Sequence, residues 1–266
     1  MNVWAIANQK GGVGKTTTTI NLAGLLAAAG RETLVIDLDP HGSLTSYLGY
    51  DPDDMEGSVY QLYRGGSGKV EQVVRKTAIK KLSLMPASSA MATLDRQLGA
   101  EEGKGLVLAH ALQRLGGRFQ HVLIDCPPLL GVLMVNALAA SERLLIPVQT
   151  EFLALKGLER MVRTLNMITQ ARGQALPYTI VPTMYDQRTR AAQESLRVLR
   201  ETYPYNIWEH VIPVDTRFRE ASRRGKPLTL LSTRSRGAIA YRKLLMHLIM
   251  SQGAGRSRQA SVAMAS

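Results

Sequence analysis

Of 266 residues only one is cysteine, Cys126, which excludes an internal disulfide and, by itself, any cysteine-held zinc or iron–sulfur centre. With 45% hydrophobic and 5% aromatic side chains, the chain is long enough for one large core and too short for two comfortable domains. A single domain over residues 1–252 is expected. No apolar run approaches the roughly 18 uncharged residues of a membrane span, and with a strand pattern from Asn2 no leader is expected. The expected location is the cytoplasm. Acidic residues are in short supply: 21 Asp and Glu face 33 Lys and Arg, a formal charge of +12. Such a balance suits a polyanionic partner, whether nucleic acid, an acidic membrane surface or an acidic protein, and equally suits a solvated basic surface.

Short apolar runs recur along the chain. Asn2 to Asn8, Thr33 to Asp37, His121 to Asp125, Arg143 to Val148 and Tyr178 to Thr183 read as buried parallel strands, with Ser83 to Pro86 and Val211 to Pro213 as weaker candidates. Helical stretches alternate with them: Lys15 to Ala29, Gly105 to Leu115, Leu130 to Ala140, Leu155 to Gln170, Ala191 to Thr202 and Gly237 to Met250. This alternation predicts one doubly wound, mostly parallel α/β sheet flanked by helices. Asp51 to Lys81 is polar and glycine-rich, a peripheral excursion. Residues 253–266 have nothing to bury and are expected to form a flexible tail.

The first strand is followed by Gln9-Lys10-Gly11-Gly12-Val13-Gly14-Lys15-Thr16-Thr17 and then by a helix. Amide groups of such a turn point inward, its glycines admit phosphate oxygens, and the helix dipole adds positive potential. Gly11 through Thr17 would cradle the phosphates of ATP. Within that run Lys15 would reach the β- and γ-phosphates, and the Thr16 hydroxyl would hold Mg²⁺. The second strand ends in Asp37-Leu38-Asp39, and two-residue spacing puts both carboxylates on one face at the ligand-binding edge of the sheet. One can order the metal's water shell while the other positions the attacking water. Val122-Leu123-Ile124 leads to Asp125, a further carboxylate able to bind Mg²⁺ through water. Pro127 and Pro128 stiffen the loop beyond it, and Cys126 reads as a small buried hydrophobe.

In the loop, glycine is replaced by Gln9 and followed by Lys10, so that the motif reads K-G-G-x-G-K-T-T. This resembles the deviant Walker A motif of the ParA/MinD ATPases. Further segments extend the likeness: Asp37 to Ser43 resembles D-x-D-P-Q-G-N, with His41 and Ser43 in place of Gln and Asn, and Asp125 to Pro128 matches D-x-P-P. Pro147 to Glu151 resembles P-x-Q-x-E, Thr183 to Asp186 resembles T-M-Y-D, and Ile212 to Pro227 resembles the segment that in those proteins surrounds adenine. The resemblance implies a sandwich homodimer formed on ATP, with Lys10 crossing to the partner's nucleotide. It also implies a hydrolytic role for Asp39, and an adenine site at Thr183, Pro213 and Asp215. A lone histidine at the Asp39 turn reads as structural, and His41 is left out of the mechanism.

ParA-like proteins bind DNA without sequence preference, and Arg217 matches an arginine of that family segment, with Arg219, Arg223 and Arg224 adding charge beside it. The nitrogenase branch of the class needs cluster-bridging cysteines that this chain lacks. A MinD-like membrane helix would have to use Leu244, Leu245, Leu248 and Ile249, whose spacing equally suits a helix packed on the core. The expected function is that of an ATPase that dimerises on ATP, binds DNA in that state and positions a cargo, either a plasmid or chromosome or a polar assembly such as a chemotaxis array, with slow, partner-stimulated hydrolysis releasing it. The rival is a MinD-like or flagellar-regulator-like ATPase acting through membrane or protein contacts.

Overall fold

A parallel sheet covered on both faces needs strands that are apolar along their whole length. Every residue of the Thr33–Asp37 and His121–Asp125 strands is buried. In the computed structural model, which describes residues 1–65, 67–98 and 104–263, these become members of a seven-stranded sheet. The strands are β1 (Asn2–Ile6), β2 (Thr33–Asp37), β3 (Arg75–Lys76), β4 (Leu82–Met85), β5 (His121–Asp125), β6 (Arg143–Gln149) and β7 (Tyr178–Thr183). Their order is β3-β4-β2-β5-β1-β6-β7. All pairings are parallel except the short edge strand β3, which runs antiparallel to β4.

Before β6 the chain forms α1 (Lys15–Ala28), α2 (Ser43–Tyr47), α3 (Tyr60–Gly65), α4 (Leu94–Leu98), α5 (Val107–Arg114) and α6 (Val132–Ala140). After it come α7 (Phe152–Arg172), α8 (Arg190–Thr202), α9 (Arg217–Arg223), α10 (Leu228–Leu231) and α11 (Arg236–Ala263). Successive strand residues point to opposite faces, which divides the core in two. Trp4, Ile6, Val35 and Leu123 pack with Ile20 and Leu26 of α1 and with Tyr241 and Leu244 of α11. Val3, Ala5, Ile36 and Ile124 pack on the other side with Leu112 of α5, Met134 of α6 and Leu158 of α7. The doubly wound α/β sheet expected from the sequence is the fold that forms.

Three segments differ from expectation. Val211 to Pro213 forms no strand of the sheet; Trp208 and Ile212 donate to the carbonyls of Ile180 and Pro182, and Pro213 makes one isolated bridge with Tyr185. A proline lacks the N–H that a continuing ladder requires. The excursion from Asp51 carries α3, a 3₁₀ segment and the edge strand β3. The last helix, expected to end at Met250 before a tail from Gly253, runs on to Ala263. Propagating an existing helix adds a hydrogen bond per residue, so two glycines at about 1 kcal/mol each do not stop it. The side chains from Gly253 onward lie outside the described residues.

His121, which opens β5, is buried and stands edge-to-face against Trp4 with ring centroids 5.6 Å apart. Its Nδ1 and the Trp4 Nε1 have no hydrogen-bond partner among the described residues. Burial, assisted by the charges of Arg31 and the N-terminal amine, lowers the His121 pKa from 6.5 to about 4. The unfolded chain therefore takes up a proton in a window where the fold refuses it, and stability is lost as pH falls from the upper value towards the lower. A His121→Phe variant should gain on the wild type by on the order of 1 kcal/mol between pH 7 and pH 5. Urea midpoints at the two pH values measure this, and an unchanged gap would show that the imidazole titrates normally.

Candidate nucleotide site

The chain leaves β1 and turns through Gln9 to Gly14 into α1. Asn8 fixes the turn from below: its Nδ2 donates to the Pro147 carbonyl at 2.8 Å and its Oδ1 accepts from the Lys10 amide at 3.0 Å. Gln9, where an ordinary phosphate loop has glycine, donates through Nε2 to Thr164 Oγ1 at 2.9 Å and ties the loop to α7. Gly12 and Gly14 take φ of +74° and +89°, conformations that strain any side-chain-bearing residue. Gly14 is the N-cap of α1 and, being glycine, brings no side chain to the first-turn amides. Those amides and the dipole behind them remain for an anion. At Gly11 and Gly12 an added Cβ would meet no atom within 4 Å, so the loop is open on its outer side.

Below the loop, sheet register brings the carboxylates together. Asp37 and Asp125 are partners on the adjacent strands β2 and β5, and both are buried. Thr16 donates to Asp125 Oδ2 at 2.6 Å and Thr19 to its Oδ1 at 3.4 Å. Asp37 Oδ2 accepts from both the amide and the hydroxyl of Thr45 at 2.8 Å, and its Oδ1 accepts from the Asp39 amide at 3.1 Å. Desolvation raises the pKa of each above the carboxylate range. For Asp125 the Asp37 charge adds to the rise while Thr16 and Lys15 oppose it; for Asp37 the Thr45 donors oppose and the Asp39 charge adds. Buried carboxylates beside a threonine hydroxyl and a lysine form a set that suits an oxygen-loving divalent cation with a phosphate above it. Thr45 carries no motif of its own, and only the fold reveals its part.

Lys15 is buried, its ammonium 3.4 Å from the Lys10 carbonyl. Lys10 stands at the rim in an ion pair with Glu151, which follows β6. Asp39 lies in the turn after β2, its carboxylate bonded to His41. Of the residues assigned to adenine, Thr183 donates to the Val13 carbonyl at 2.9 Å and so braces the phosphate loop. Asp215 spends both oxygens on backbone, accepting from the amides of Arg217 at 3.1 Å and Gly237 at 3.2 Å. Pro213 is half-buried beside Tyr185. Arg217, Arg219 and Arg223 lie on α9 and Arg224 caps its C-terminal end, and Glu220 lies 3.6 Å from Arg223 and 2.6 Å from Arg224. Cys126 is buried, and desolvation pushes its thiol well up, away from reactivity. Leu244 and Leu248 belong to the core.

A glycine-rich loop from a central parallel strand to a helix, with carboxylates at the ends of the neighbouring strands, defines a P-loop nucleotide-binding protein. A family model described as an AAA domain matches residues 1–177. The chain is 37% identical over 266 residues to the chromosome partitioning protein ParA of Caulobacter vibrioides, covering 99% of this chain and 98% of that one. It is 36% identical over 238 residues to the sporulation initiation inhibitor protein Soj of Bacillus subtilis, covering 89% and 94%. A Mycobacterium smegmatis structure described as cobyrinic acid a,c-diamide synthase with bound ADP and magnesium matches at TM-score 0.83 and 34% identity, over 96% of each chain. This chain belongs to the ParA/Soj family of P-loop ATPases.

The crowding of Asp125 has a measurable consequence. Its folded pKa lies above the unfolded value, so the empty protein loses stability as pH rises from the ordinary carboxylate range towards the raised one. Asp125→Asn should therefore melt higher than the wild type without nucleotide at pH 8, by on the order of 1 kcal/mol, with a smaller margin at pH 5.5. The same variant should lose most of the thermal shift produced by ATP with Mg²⁺. A lower melting point at pH 8 would show that the carboxylate is stabilising where it stands.

Proposed function

We propose that the chain is a ParA-like ATPase that dimerises on ATP, binds DNA without sequence preference and positions or segregates a cellular cargo until a partner protein stimulates hydrolysis. The observation that carries the reading is the meeting of Asp37, Asp125, Thr16 and Lys15 beneath the glycine-capped N-terminus of α1. In this reading Gly11 to Thr17 hold the phosphates, Thr16, Asp37 and Asp125 hold Mg²⁺, and Asp39 orients the attacking water. Bound Mg²⁺ supplies neutralisation of charge on the phosphates. Thr183 and Pro213 remain near the base, while Asp215 acts indirectly by joining the starts of α9 and α11.

Support for a dimer comes from the rim. Leu129 and Leu130 follow β5, Phe152 and Leu153 follow β6, and all are exposed, the first and third by 70% and 71%. Lys10 leaves β1 between these strands. An apolar rim flanking a lysine suits burial against a second copy. Support for DNA comes from α9 and its C-cap: Arg217 and Arg219 have no carboxylate within 4 Å among the described residues, whereas Arg223 and the capping Arg224 share Glu220. Arg217 also lines a groove of about 910 Å³ with Arg234, Arg236 and Lys243. Phosphate contacts of this kind need no base readout.

Among the described residues no helix is long and apolar enough to cross a membrane. A surface attachment has one feature in its favour, the exposed Ile239, Met246, Ile249 and Met250 beside Lys243 on α11. Vesicle binding therefore belongs in the same test as DNA.

Lys15→Ala should abolish binding of a fluorescent ATP analogue, and Lys10→Ala should retain binding but fail to sediment as a dimer with ATP; equal loss of nucleotide in both counts against the cross-dimer role. Asp39→Ala should bind ATP and hold the dimer while hydrolysis slows, and turnover at the wild-type rate would assign the water to another group. With ATP the wild type should retain duplexes of any sequence at low salt, more weakly with ADP and steeply less as salt rises. Arg217→Glu should weaken retention about tenfold with ATP affinity unchanged. If the wild type ignores DNA and binds acidic lipid vesicles, the membrane reading replaces this one.

A further inference from the structure

His41 occupies the turn that follows β2 and makes two contacts with one oxygen. Its amide lies 3.1 Å and its ring Nδ1 2.9 Å from Asp39 Oδ1. A carboxylate only accepts, so both nitrogens donate. Oδ1 is thereby occupied, and Oδ2 is the oxygen left to receive a further donor. The two side chains are differently placed: the imidazole is 84% exposed and the carboxylate 16%. The ring thus holds the carboxylate from outside without filling the site.

The turn itself is held firmly. Gly42 donates to the Asp39 carbonyl at 2.8 Å, and α2 starts at Ser43. Thr45 of α2 then binds Asp37, whose other oxygen receives the Asp39 amide. Asp37, Asp39, His41 and Thr45 therefore form one connected set in which the imidazole is the only member lying mostly in solvent. A group that aims one oxygen at a water molecule works best when its other oxygen is fixed, because misorientation of the reacting water lowers the rate without affecting ATP affinity.

We infer that His41 is a positioning residue for hydrolysis, holding Asp39 Oδ1 so that Oδ2 faces the attacking water. The inference rests on the proposed ATPase reading and on the role of Asp39 within it. It concerns kcat and leaves nucleotide binding to the phosphate loop.

Single-turnover hydrolysis, with ATP-analogue binding measured alongside, tests it. His41→Ala should slow hydrolysis about fivefold with nucleotide affinity unchanged, since this exposed ring contributes nothing to the phosphate cradle. His41→Gln, whose side-chain amide can donate to the same oxygen, should recover most of that loss. In an Asp39→Asn background the His41→Ala change should add little, because the two act as a unit. A wild-type rate in His41→Ala, or a loss fully additive with Asp39→Asn, overturns the inference while leaving the ATPase reading in place. Absence of hydrolysis in the wild type overturns both.

Discussion

The site depends on a conflict between two carboxylates. Asp37 and Asp125 end neighbouring parallel strands in register, inside a sheet edge that excludes water. Burying either one is unfavourable, and burying both together is more so. Donors from two helices soften the conflict: Thr16 and Thr19 from α1 serve Asp125, and Thr45 from α2 serves Asp37. A folded protein that keeps such a pair is poised for a cation, because one divalent ion offsets what neutral donors only moderate.

The strand order explains why the pieces meet. β1 lies between β5 and β6, so the phosphate loop leaving β1 has Asp125 on one side and Glu151 on the other. β2 lies beyond β5 and adds Asp37, Asp39 and the His41 turn. Residues that rim the same cleft come from positions more than a hundred apart in the chain. Parallel strands make this possible, since every loop that leaves a strand's C-terminal end opens on the same edge.

Much of this was legible beforehand. β2, β5 and β7 have the bounds that their apolar runs indicate, because a strand buried on both faces carries an uninterrupted signal. The phosphate loop was legible because its glycines, lysine and threonine sit at adjacent positions, and local chemistry needs no tertiary partner to be recognised. The Val211 to Pro213 segment and the end of α11 depart from their local pattern: apolar character does not reveal a missing ladder N–H, and glycine content does not reveal a helix already propagating.

By itself the sequence determined the fold class, the phosphate loop and the acidic residues available to it, since all three are written in short-range pattern. Only the tertiary structure decided how those residues are used. It set Asp37 against Asp125 through strand register, committed both oxygens of Asp215 to the amides of Arg217 and Gly237, and gave Glu220 to Arg223 and Arg224. It also turned His41 onto Asp39, a contact between residues two apart that depends on the backbone path between β2 and α2. Such assignments are distances and directions, and a residue's type and spacing do not specify them until packing has fixed the backbone.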